Sequence, residues 1–102
     1  RNKFKLIDEK KYQFNTYHTF VIQIKKGNRN NLIKYLNKKG ISTAIHYPIP
    51  IHLQPASKFL GYKYGDFPAT ETQAKKILTI PINQSLNLKQ LKYIANTLNN
   101  FY

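Results

Sequence analysis

Apolar and polar side chains alternate from Tyr17 to Lys25, with Phe20, Ile22 and Ile24 against Val21, Gln23 and Lys25. A period of two marks a strand with one buried face. The period then lengthens. Gly27-Asn28 turns the chain, Asn28 is a candidate N-cap, and Leu32, Ile33 and Leu36 line one side of a helix over about residues 29–39. Lys38 and Lys39 suit its negative end, and Gly40 suits the left-handed residue that closes it. Ile41, Thr43 and Ile45 share one face of a short strand that leads directly into His46.

Residues 56–60 allow one helical turn, followed by a glycine-punctuated loop, Gly61 to Asp66, in which Tyr62 and Tyr64 are expected to be exposed. Its two glycines fit neither a P-loop nor a dinucleotide fingerprint. Pro68 opens a helix to about Lys76, with Glu71 near its positive end. Residues 77–82 form an apolar run broken by Pro81, a short strand whose end lies at a sheet edge or exit. Asn87 and Gln90 predict a capping box, and Leu88, Leu91, Ala95 and Leu98 a buried helical stripe. On that pattern Leu91→Ala opens a core cavity costing about 2–5 kcal/mol. The order strand, helix, strand, loop, helix, strand, helix gives an α+β fold, two layers with a small sheet covered by helices. Residues 1–16 are lysine-rich with weak periodicity around Phe4, Leu6 and Ile7, and read as a lead-in, the tail of a helix or a strand arm.

Between the second strand and the helical turn lies the most distinctive stretch, His46-Tyr47-Pro48-Ile49-Pro50-Ile51-His52-Leu53-Gln54-Pro55. Its three prolines fix φ near −65° and remove backbone donors, while Tyr47, Ile49 and Gln54, each preceding a proline, are pushed to extended geometry. A stiff, extended loop follows, neither helix nor central strand. It carries His46, His52 and Tyr47, and a preorganised backbone of this kind loses little entropy when a ligand arrives. A rigid connector whose rings only pack is the alternative. His18, at a strand start, reads as structural.

Composition narrows the classes. The 102 residues suit one domain, and 41% hydrophobic and 14% aromatic content exclude disorder. The absence of cysteine excludes disulfides and thiolate metal sites. His46 and His52 lack the carboxylate or thiolate company that a metal site needs, so none is expected. No apolar run reaches the ~20 residues of a membrane span, and a cytoplasmic chain without membrane partners is expected. The net charge of +13 would attract phosphate-rich partners, and residues 1–40 carry 11 basic and 2 acidic side chains. A basic α+β nucleic-acid-binding module is therefore an alternative. Against it, the chain has only two arginines, Arg1 and Arg29, and its first strand lacks the aromatic signature of RNA-recognition motifs. Lys, Asn, Ile and Tyr are also the residues that AT-rich codons favour. Arg29 with its neighbouring lysines either steers an anionic partner or belongs to a solvated helix face. A pure interaction domain is a third class, testable by self-association without ligand.

The run from Gly40-Ile41 through His46 to Pro55, then Leu60-Gly61-Tyr62, Phe67-Pro68-Ala69-Thr70-Glu71, residues 77–82 and Leu86-Asn87 resembles the C-terminal domain of the DegT/DnrJ/EryC1/StrS sugar aminotransferases. The resemblance covers about residues 17–102, with several motifs in order. It implies the small domain of a fold-type-I enzyme with a short, mainly antiparallel sheet. It further implies a complete enzyme that uses pyridoxal 5′-phosphate, acts on a nucleotide-linked keto-sugar with glutamate as amino donor, and forms a homodimer. Relatives that dehydrate rather than transaminate belong to the same family. The family's cofactor lysine, its pyridine-pairing aspartate and its phosphate cup belong to a larger N-terminal domain, so residues 17–102 are expected to hold no catalytic or cofactor-binding residue and to be inactive alone. The opening on Arg1 and the lack of methionine agree with a piece of something larger, residues 1–16 leading in from that missing domain. By the same resemblance His46 and Tyr47 contact the sugar, and His52 supports their loop or the rim of the site.

Overall fold

The computed structural model describes residues 4–25, 27–83 and 85–101. Among the described residues, three antiparallel strands, β1 (Phe4–Lys5), β2 (Phe20–Ile24) and β3 (Ile77–Ile80), lie in the order β1-β2-β3. Phe4 pairs with Ile24, and Phe20 and Ile22 pair with Ile80 and Leu78. With them the described residues form the α-helices α1 (Arg29–Lys38), α2 (Pro68–Lys76) and α3 (Leu88–Asn99). The two-layer α+β architecture is the expected one. Within the described part of the lead-in, residues 4–16, the strand arm is the two-residue β1 and no helix forms.

Local signals explain the helix ends. Asn28 caps α1 by accepting from the Asn31 N–H. Gly40, at φ +78°, lets the Ile41 N–H reach Leu36 O at 2.9 Å and the Gly40 N–H reach Asn37 O at 3.0 Å, the paired closure of a left-handed helix stop. The capping box of α3 is formed on both sides: Gln90 N–H donates to Asn87 Oδ1 at 2.8 Å, and Asn87 N–H to Gln90 Oε1 at 3.0 Å.

The core gathers the alternating face of β2 with both outer helices. Ile22, Leu32, Leu36 and Leu78 are each at most 1% exposed, and Phe4, Ile24, Ile41, Ile80, Ile94 and Leu98 surround them. Tyr35 and Tyr93 tie α1 to α3, donating to Thr97 O at 3.0 Å and Lys39 O at 2.7 Å.

Two expectations change. The strand predicted over residues 41–45 contracts to a single bridge between Ala44 and Thr79. The next hydrogen-bonded pair in one direction would need an N–H from Pro81, which has none. In the other direction it would need Ile77, whose N–H already reaches Gln73 O and whose C=O accepts from Arg29. The buried face of α3 also differs. Ile94, Thr97 and Leu98 are buried, whereas Leu88 is 67% and Leu91 44% exposed. Leu91 and Ala95 instead border an open groove of about 840 Å³ between α3 and the sheet, shared with Phe4, Phe20 and Ile80. Apolar residues occupy two adjacent faces of this helix, so periodicity alone could not select the one that meets the sheet. No helix among the described residues is long and apolar enough to cross a membrane.

Candidate functional site

The Ala44–Thr79 bridge positions the loop that follows it. Ala44 N–H donates to Thr79 O at 3.1 Å and Thr79 N–H to Ala44 O at 2.7 Å. Two residues on, His46 Nδ1 lies 3.0 Å from Thr79 Oγ1. The His46 imidazole meets the Tyr47 ring edge to face at 5.2 Å, the two residues being joined by a cis peptide bond. Tyr47 is 68% exposed and borders a shallow hollow of about 460 Å³ with Pro48, Ile49, Gln54, Pro55 and Ala56. Gln54 Nε2 donates to Ile49 O at 3.0 Å and closes the loop on itself.

The loop is not extended throughout: Ile51–Leu53 forms a 3-10 turn, and Pro55–Leu60 forms a second. None of residues 51–53 precedes a proline, so the steric push toward extended backbone is absent there. The Leu53 N–H closes the first turn on Pro50 O at 2.9 Å.

That turn carries His52 inward. It is 8% exposed, its Nε2–H donates to Glu71 Oε2 at 2.8 Å, and its ring meets Phe67 edge to face at 4.8 Å. The Glu71 carboxylate also accepts from Gly65 N–H at 2.8 and 3.0 Å and from Phe67 N–H at 3.1 Å. One carboxylate thus fastens the proline loop, the glycine loop and α2 together. Burial alone would raise the pKa of Glu71, but the Gly65 N–H, His52 and the Phe67 N–H outweigh it and hold the group below its ordinary value of 4.5.

A carboxylate with a depressed folded pKa stabilises the fold above its unfolded pKa, and that contribution disappears as pH falls through the folded value. Glu71→Gln is therefore expected to be less stable than wild type at pH 7, with the gap closing in acid below about pH 4. Denaturant titrations at several pH values measure this, and a gap independent of pH would contradict the clasp.

Of the three expected site residues, the structure brings His46 and Tyr47 into contact at the surface and gives His52 a separate, internal environment. Arg29 is only partly exposed and turns from the helix surface toward α2. Its Nη1 donates to Ala74 O at 2.6 Å and Ile77 O at 3.2 Å, closing the C-terminal end of α2. Sequence reasoning missed Glu71 and Thr79 as site-building residues. Their signals were slight: one of only four acidic residues in the chain, and a lone hydroxyl in the run Ile77-Leu78-Thr79-Ile80. Among the described residues, no three His, Asp or Glu side chains group as metal ligands.

Comparison with known proteins agrees with the fold. The model of the DegT/DnrJ/EryC1/StrS aminotransferase family matches residues 2–99. A Geobacillus stearothermophilus protein named pleiotropic regulatory protein is 36% identical over 90 residues, covering 88% of this chain and 24% of that protein. The dTDP-3-amino-3,4,6-trideoxy-alpha-D-glucose transaminase of Streptomyces venezuelae is 34% identical over 74 residues, covering 72% of this chain and 19% of its own length. Among solved structures, S. venezuelae DesV in complex with a ketimine intermediate superposes with a TM-score of 0.87 at 26% identity, over 97% of this chain and 26% of that one. The chain spans only about a fifth to a quarter of the length of the relatives it matches.

Proposed function

The chain belongs to the DegT/DnrJ/EryC1/StrS aminotransferase family, and from that premise we propose that it is the C-terminal, substrate-recognition domain of a pyridoxal-phosphate-dependent enzyme that aminates a nucleotide-linked keto-sugar. Residues 17–102 are the small domain and residues 1–16 the lead-in, whose β1 completes the sheet. The complete enzyme works in the cytoplasm as a homodimer with glutamate as amino donor.

The observation that carries this reading is the exposed His46–Tyr47 pair, presented by a loop that Thr79 and Glu71 fasten from behind. Imidazole and phenol hydrogen-bond sugar hydroxyls or diphosphate oxygens, and the tyrosine face packs on a pyranose ring. His52 contributes indirectly: its bond to Glu71 holds the loop in shape.

Pyridoxal phosphate needs a lysine amine, a carboxylate against the pyridine nitrogen and a cup of N–H donors. Two observations among the described residues support placing it elsewhere. The buried carboxylate, Glu71, is fully engaged by His52, Gly65 and Phe67, and Lys75 Nζ bonds Tyr64 OH at the surface at 3.0 Å. The reading therefore assigns the cofactor, and the catalytic lysine, to polypeptide outside these residues.

Absorption of the intact polypeptide with added pyridoxal phosphate tests the proposal. The expected result is a cofactor band that glutamate bleaches and a nucleotide-linked keto-sugar restores. A band that no amino donor bleaches would point to a dehydrating relative, and no band at all would overturn the reading.

A further inference from the structure

We infer that Thr79 is the positioning residue for His46: its hydroxyl donates to Nδ1 and holds the imidazole with the N–H of Nε2 directed to the substrate. The inference deepens the proposed function and rests on its assignment of His46 to sugar recognition.

Thr79 interrupts an otherwise aliphatic strand, and it is 9% exposed. Its backbone has no need of the hydroxyl, since N–H and C=O are both paired with Ala44. Among the described residues, the one partner of Oγ1 is His46 Nδ1, at 3.0 Å. A hydroxyl has one proton and two lone pairs, and leaving a buried donor unmade costs more than leaving a lone pair idle. The proton therefore goes to Nδ1. A neutral imidazole that accepts at Nδ1 carries its own proton on Nε2, and Nε2 is then a donor.

The chemical consequence is specific. His46 offers an N–H to an acceptor oxygen, a sugar carbonyl or a diphosphate, and in this tautomer cannot take a proton from a hydroxyl. Thr79 makes all three hydrogen bonds that orient the segment from Ala44 to His46, two by backbone and one by side chain. Strand β3 thereby sets both the place and the tautomer of the site histidine.

Two measurements on the intact polypeptide test this. In ¹⁵N-histidine-labelled protein at neutral pH, with the His46 signals identified by their loss in His46→Gln, Nδ1 is expected to resonate as an unprotonated acceptor and Nε2 as protonated. The reverse pattern would overturn the inference. Binding is then measured with dTDP-glucose or UDP-N-acetylglucosamine, whichever wild type holds more tightly. Thr79→Val is expected to weaken binding about tenfold and Thr79→Ser less than about twofold, the loss corresponding to one hydrogen bond. On a His46→Ala background Thr79→Val should add nothing. An equal loss on both backgrounds would make Thr79 a purely structural residue and sink the inference. If His46→Ala leaves binding unchanged, the substrate reading itself falls, and the nitrogen signals alone decide the bond.

Discussion

Leu78→Ala is expected to lower the stability of the fold by about 2–5 kcal/mol, while Leu91→Ala costs less than about 1.5 kcal/mol. Leu78 sits in β3 opposite Ile22, and both are at most 1% exposed. Leu32 and Leu36, at 0% exposure on α1, belong to the same core cluster. Removing three carbons there withdraws apolar surface from a filled core and leaves a cavity that paired strands cannot collapse to fill. Against a typical domain stability of about 5–15 kcal/mol, the loss is a large fraction of the total. Leu91 is 44% exposed on the rim of the groove beside α3, so truncation there changes little buried area. Denaturant unfolding of the two variants measures both values. Comparable losses at the two positions would mean that α3 packs through its Leu88–Leu91–Ala95 face after all.

Where the sequence was legible, the reason was local. Asn28, Gly40, Asn87 and Gln90 act within four residues of themselves, so caps and helix stops could be read from spacing alone. Alternation in β2 identified Ile22 and Ile24 as core because a strand has only two faces. A helix has a continuous range of faces, and α3 offered two apolar ones. The expected strand over residues 41–45 failed because its limits are set by Pro81 and by the prior engagement of Ile77, far along the chain.

The candidate site divides the same way. His46 and Tyr47 stood out through the prolines that stiffen their loop. What holds them did not, because the Thr79 hydroxyl is 33 residues from His46 and the Glu71 carboxylate 19 from His52. Arg29 reads as a surface charge, since nothing local shows that it reaches carbonyls 45 and 48 residues away. Pairings over such separations are products of topology, and a single sequence carries no periodic trace of them.

His46→Ala is expected to weaken nucleotide-sugar binding by the intact polypeptide about 10- to 100-fold, the loss of one or two hydrogen bonds to a charged or polar ligand. His46 is exposed, so the substitution empties no core space, and the stability lost is that of its one bond to Thr79, about 0.5–1.5 kcal/mol. Tyr47→Ala should act in the same direction, because the ring both contacts His46 and borders the adjoining hollow. Glu71→Gln should reduce binding too, but together with stability, since it loosens the loop rather than removing a contact.

The most direct measurement is the dissociation constant of a nucleotide-linked hexose for wild-type and His46→Ala polypeptide, with the cofactor absorption recorded in the same samples. The account predicts a dissociation constant raised at least tenfold with the cofactor band unchanged. An unchanged dissociation constant, or a band lost along with binding, would contradict the assignment of this loop to sugar recognition.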